Sequence, residues 1–236
     1  MVAVLATTLV LAAMVQGLVG LGLALVAAPV VTLLEPHLMP ELMIWLGLMM
    51  PVVTLLREHH DIDWRGLGWS LPTRVLGTAI GVFLVAWFQP AGLGIAVGLM
   101  VLVGVVLTVR LVEIPVNVPT LAGAGFVSGV TGTATSIGGP PMAILYQHRP
   151  PHQIRSTLGV FFVVGAAMSL TGLGIAGQLD RSTFLLAVTM VPALVAGFGL
   201  SRIANRRLPR HHIRIGVLLV SGLSAVVVLV RSLFML

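Results

Sequence analysis

Polar residues are sparse enough along this chain to act as punctuation. Between them lie eight apolar runs, Val2–Leu34, Leu38–Leu56, Leu67–Phe88, Ala91–Val109, Val118–Leu145, Leu158–Ala176, Phe184–Leu200 and Ile213–Leu236. Several reach the roughly 20 residues that an α-helix needs to cross a bilayer core. None shows the alternation of apolar and polar positions that a membrane β-strand requires. The pattern predicts an all-α polytopic membrane protein. The first run has no basic n-region and exceeds the signal-peptide h-region of about 7–15 residues, so it is expected to remain part of the fold.

Two stretches break the apolar rhythm with small residues. "QGLVGLGLALVAAP" (Gln16 to Pro29) falls on "SGVTGTATSIGGPP" (Ser128 to Pro141) after a shift of 112 positions, pairing Gly17 with Gly129, Gly20 with Gly132 and Pro29 with Pro141. Further on, Pro72–Gly77 matches Pro192–Gly197 in spacing. The chain therefore reads as a two-fold repeat in one integral membrane domain, residues 1–112 and 113–236.

The arginines set the relation between the halves. Arg57 and Arg65 enrich the loop after the second run, whereas its counterpart carries only Arg181. The Gln89–Gly92 loop has none, yet its counterpart carries Arg202, Arg206, Arg207, Arg210 and Arg214. Rich loops thus match poor ones. Because positive residues mark the cytoplasmic side, the repeats are expected to be inverted. Inversion requires an odd number of crossings per half, so one of the four runs in each must enter and leave by the same face. The broken runs fit, with arms Val2–Val15 and Leu23–Leu34 in the first half and Asn117–Val130 and Pro140–His148 in the second. Each half then comprises a re-entrant helical hairpin followed by three transmembrane helices. In that arrangement eleven arginines, Arg74 among them, fall on or near the cytoplasmic side, and only Arg181 and Arg231 lie outside.

Composition agrees with a membrane setting. Hydrophobic residues make up 58% and charged residues 8%, against about 25% charged in a soluble domain, and mean hydropathy is +1.10. A net charge of +6 would point to nucleic acid in a soluble protein. Here every cation is arginine, most of them in short loops, and orientation accounts for the charge. Nucleic acid is not expected as a partner. The absence of cysteine excludes thiolate catalysis and cysteine-based metal sites.

Breaking a helix inside lipid is tolerated where the exposed backbone is buried in protein or lines a cavity. The second arm of a re-entrant hairpin starts near the midplane, where its free N–H groups and positive dipole end attract an anion. Thr135 and Ser136 are suited to cap that arm, Gly138 and Gly139 admit a ligand to the backbone, and Pro140 and Pro141 fit its first turn. Neither broken run contains a charge, so the expected donors are neutral. The candidate substrate-binding residues are Gln16, Gly17, Gly20, Ser128, Thr131, Gly132, Thr133, Thr135, Ser136, Gly138 and Gly139, with Arg155 guiding an anion into a vestibule. The competing reading is that these small residues only allow close helix packing. No cofactor and no metal is called for.

The paired stretches "GLVGLG" and "SGVTGTATSIGGPP…YQ", with "DIDW" after the second run, resemble the TauE/SafE family of sulfite and organosulfonate exporters. The resemblance extends over essentially the whole chain. It implies a multi-pass protein of a bacterial inner membrane that carries a small sulfur-containing oxyanion as its partner. The threonines of the second stretch are missing from the first, so the two tips would contribute unequally.

Other clusters carry weaker signals. "REHHDIDW" (Arg57 to Trp64) holds His and Asp residues able to ligate a metal, but reads better as a solvated cytoplasmic loop with Trp64 anchored at the interface. Glu35, His37 and Glu41 form an opposite-face group that a proton-coupling role would use. A serine hydrolase needs a base beside its nucleophile, and neither broken stretch has one. The alternative transporter is a cation or metal-ion carrier using carbonyl-bearing helix C-termini at the same tips.

Overall fold

The computed structural model describes residues 2–19, 23–55, 60–109, 114–207 and 210–234. Among these are ten α-helices: α1 (Val2–Val19), α2 (Leu23–Leu34), α3 (Glu41–Leu55), α4 (Trp64–Trp87), α5 (Pro90–Val109), α6 (Val118–Thr135), α7 (Gly139–Tyr146), α8 (Pro151–Ile175), α9 (Arg181–Arg207) and α10 (Arg210–Leu233). A short 3₁₀ turn, Pro36–Leu38, precedes α3. The described residues contain no strand. Three described segments, Trp64–Trp87, Pro151–Ile175 and Arg181–Ser201, are long and apolar enough to cross a membrane.

The distribution of side chains is that of a protein dissolved in lipid. Leu76, Ile175, Leu219 and Leu223 are exposed, whereas Ser70, Thr78, Ser128, Thr133 and Ser169 are buried. Along α4 the inward stripe is Ser70, Arg74, Gly77, Thr78 and Gly81, a helical spacing of small and polar residues. The 24 residues of α4 span about 36 Å. Trp64 and Trp87, at its two ends, are both exposed, as interfacial aromatic anchors are.

Glycines bring the helices together backbone to backbone. A Cβ at Gly125 of α6 would strike the Ser70 carbonyl, one at Gly129 the Arg74 carbonyl, and one at Gly81 of α4 the Thr133 side chain. Residue numbers rise together on both helices, so α4 and α6 run parallel. The pair α9 and α1 behaves alike: Gly197 abuts the Val10 carbonyl and Gly17 abuts Ser201. In contrast, Gly159 near the start of α8 meets Leu55 at the end of α3, and Gly94 of α5 meets Ser232 late in α10. These two pairs are antiparallel.

Polar latches close the ends. Asp63 caps α4 by accepting from the Gly66 N–H at 2.9 Å, and its other carboxylate oxygen accepts from the Tyr146 hydroxyl at 2.8 Å. The end of α7 therefore sits at the start of α4, which is also the end where α6 begins, so α6 and α7 enter and leave together. The Asp63 N–H donates to Thr157 of α8 at 3.0 Å, and the Asp180 N–H donates to Glu41 of α3 at 3.0 Å. The loop "DIDW" is thus tied into the fold at Asp63, where a solvated loop was expected; Trp64 is exposed as expected.

The hairpin arms differ from expectation. α6 continues to Thr135, five residues beyond the expected end, and only Ser136–Gly138 separate it from α7. Its 18 residues reach about 27 Å, more than half a membrane, whereas α7 with eight reaches about 12 Å. Along this length its glycines seat against α4, and Thr131 and Thr135 satisfy their hydroxyls on carbonyls one turn back. In the first half α1 continues through Gln16 and Gly17 to Val19, and Leu23–Leu34 forms as expected. Helix contacts also align the two halves in a different register from the one read in the sequence. Gly77 meets Phe126 as Gly197 meets Val10, and Gly81 meets Thr133 as Ser201 meets Gly17. Both matches set α1 against α6 at a separation of 116 positions, one helical turn from the shift of 112 read from the sequence.

Candidate functional site

Ten residues into α4, about 15 Å along its axis, Arg74 projects inward and is 4% exposed. It was expected near the cytoplasmic surface; the start of α4 at Trp64 carries it well below that. Its guanidinium lies 4.3 Å from the centroid of the buried Phe161 ring on α8, a cation–π contact that gains strength when water is excluded. Nε and Nη1 have no hydrogen-bond partner. Two glycines make the space it occupies. A Cβ at Gly165 of α8 would overlap the guanidinium, and one at Gly132 of α6 would lie 3.4 Å from Nη2.

Arg74 lines a cavity of about 120 Å³. The second hairpin contributes Gly132, Ser136, Gly138, Gly139 and Pro140; the first contributes Gln16 and Leu25; α3 contributes Met43, Ile44 and Met50; and α8 contributes Phe162 and Ser169. The tips of both broken elements therefore reach one cavity. Most of its wall is apolar, and its positive charge comes from one side chain. A buried charge without a partner is costly, so this arrangement favours a ligand that brings negative charge.

The structure assembles five of the twelve sequence-derived candidates around the cavity: Gln16, Gly132, Ser136, Gly138 and Gly139. The Gln16 Oε1 accepts from the Leu23 N–H at 3.1 Å, capping α2 across the tip. Ser136 is the left-handed C-cap of α6 (φ 63°, ψ 9°), and its hydroxyl donates to the Pro40 carbonyl at 2.9 Å. The N-cap of α7 is Gly138, which has no capping side chain. The expectation that Thr135 or Ser136 caps α7 is corrected. The chain turns there by a left-handed residue, and both hydroxyls are used elsewhere.

The threonines do not face the cavity. Thr131 donates to the Val127 carbonyl at 2.9 Å and Thr135 to the Thr131 carbonyl at 2.7 Å. Thr133 shares a hydrogen bond of 2.8 Å with Ser169. Away from water a hydroxyl gains by finding a partner, and the carbonyl one turn back is the nearest. Ser128 is wholly buried and its hydroxyl has no partner, but it lies one turn behind Gly132, outside the lining. Gly17 packs on Ser201, the close-packing role that competed with ligand binding. Arg155 lies exposed in the first turns of α8, away from the cavity. Gly20 lies outside the described residues.

The secondary clusters resolve into latches. Glu41 is 6% exposed and accepts from Trp45 Nε1 at 3.1 Å as well as from Asp180. Glu35 pairs with His37 at 3.3 Å, and Asp61 with His152 at 3.0 Å. Among the described residues no three His, Asp or Glu side chains gather as a metal would need.

Arg74 carries the site and was missed as a ligand. Its signal was the inward spacing Ser70, Arg74, Thr78, three polar residues one turn apart inside an apolar run. The family model of the sulfite exporter TauE/SafE matches residues 5–228, and the chain belongs to that family. No curated protein and no solved structure gives a significant match.

Proposed function

As a member of that family the chain is a multi-pass membrane transporter rather than an enzyme, and we propose that it exports a small sulfur-containing oxyanion, sulfite or an organosulfonate such as sulfoacetate, across a bacterial inner membrane. The observation that carries this reading is Arg74: a buried guanidinium, short of partners, beside the break between α6 and α7. A sulfonate or sulfite presents several oxygens to it, and an arginine fork can donate to two of them at once. The N-terminus of α7 adds its dipole from the same side. A cation or metal carrier is disfavoured, because its cargo would meet this charge with no carboxylate from the described residues in the cavity wall.

Alternating access would follow from inverted repeats, residues 1–112 against 113–236. Helix directions support that reading. α4 runs parallel to α8, from the Asp63–Thr157 bond through Gly165 at Arg74 to Gly172 at Val82. α3 runs antiparallel to α8, and α9 starts beside the start of α3. Hence α4 and its counterpart α9 point in opposite directions.

Titration of the purified protein with sulfite and with ethanesulfonate tests the binding reading. Arg74→Gln should cost about 2–5 kcal/mol of binding, and wild-type affinity in the folded variant would overturn it. Topology is tested in the naturally cysteine-free chain by Gln89→Cys and His148→Cys. An impermeant thiol reagent in intact cells should label Gln89→Cys and not His148→Cys; labelling of both would reject the inverted arrangement.

A further inference from the structure

From the charge balance of the central cavity we propose that this carrier works as an anion exchanger: it returns across the membrane only with a second small monoanion bound at Arg74. The inference rests on the transport reading above and adds how the transport cycle closes.

The cavity holds one positive charge and nothing among the described residues to neutralise it. All five described carboxylates are committed elsewhere. Glu41 holds Trp45 and the Asp180 N–H, and Asp63 holds Tyr146 and the Gly66 N–H. Glu35 pairs with His37, Asp61 with His152, and Asp180 accepts from Ser182. Nor can the site discharge itself by losing a proton, because a guanidinium keeps its charge at any physiological pH. A lysine or histidine carrier has that escape; this one does not.

Phe161 offers the cation a ring face, which leaves Nε and Nη1 unsatisfied. An occluded state excludes water from both sides, and there the unpaired charge costs most. A bound monoanion cancels the charge and fills the open donors, so the loaded carrier passes through occlusion more readily than the empty one. The guanidinium sits against Gly165 of α8 and Gly132 of α6 and is buried, so reaching water would require those helices to move apart.

The full chain, purified and reconstituted into liposomes, tests this with ³⁵S-labelled ethanesulfonate outside, whose charge does not vary with pH. The lumen contains either unlabelled ethanesulfonate or gluconate, and potassium with valinomycin holds the membrane potential at zero. Uptake should be faster by about tenfold or more with ethanesulfonate inside. Arg74→Lys, which can shed its proton when no anion is bound, should still transport but depend less on the lumenal anion, and Arg74→Gln should lose the dependence. Equal wild-type rates into both lumens would overturn exchange and leave the transport reading standing. Retention of the full dependence in Arg74→Gln would overturn the role given to the charge. Absence of uptake of both ethanesulfonate and sulfite under every condition would overturn the transport reading itself, and this inference with it.

Discussion

The two pairs α4/α6 and α9/α1 share a skeleton and differ at its centre. In each a proline lies inside the long helix, Pro72 or Pro192, and a glycine five residues later, Gly77 or Gly197, abuts a carbonyl of the partner helix. Between proline and glycine, at the same offset, one pair has Arg74 and the other Leu194, both buried. One turn beyond the glycine, small and hydroxyl residues have exchanged sides: Gly81 faces Thr133, whereas Ser201 faces Gly17. Packing geometry tolerates either arrangement so long as one partner is small. The charge has no such freedom. A second cation at the opposite tip would repel the first across a cavity of about 120 Å³, so the pair that makes the site polar leaves its counterpart to make the core. The first hairpin is accordingly packed in aliphatic side chains such as Leu5, Leu9, Val26 and Val31.

The sharpest way to break this comparison is to make the first pair resemble the second. Arg74→Leu should abolish detectable binding of ethanesulfonate, a loss of about 2–5 kcal/mol. It should also raise the melting temperature without ligand, since an unpaired buried charge is removed. A fall in both would show that Arg74 is a structural residue. At the equivalent position of the other pair, Leu194→Ala should leave affinity unchanged and lower stability by about 2–5 kcal/mol, read by thermal melting.

Gly165→Ala is expected to act through Arg74. Its methyl group would overlap the guanidinium, and overpacking of this kind costs about 1–3 kcal/mol. Affinity should fall with it, and the double variant Gly165→Ala/Arg74→Leu should recover the stability of Arg74→Leu alone. Additive losses in thermal melts would mean that the glycine serves helix packing instead.

Tyr146→Phe removes the donor to Asp63 at the start of α4 and should lower stability by about 1.5–3 kcal/mol, the range for a hydrogen bond to a charged group. The smallest effect is expected from Thr133→Val. Its hydroxyl bonds Ser169, so stability should drop by about 0.5–1.5 kcal/mol with affinity unchanged. Weakened binding there would return the threonines to the site.

Much of this was legible in the amino-acid order. Apolar runs must hide their backbone polar groups within helices, so the helical segments and an interruption ahead of Pro140 could be read directly. The break is confined to Ser136–Gly138, whereas the first arm was expected to stop at Val130. Depth and facing were not legible. Arg74 looks like any arginine near the end of an apolar run until the cap at Asp63 starts the helix early enough to bury it. Thr131, Thr133 and Thr135 look like donors to a ligand until the carbonyl one turn back, or Ser169 on another helix, proves nearer. Sequence alone therefore determined that the chain is helical and roughly which segments form its helices, because those follow from local hydrogen bonding and transfer into lipid. Only the tertiary structure decided that a single guanidinium stands at the centre, because which side chain lacks a partner depends on every helix packed around it.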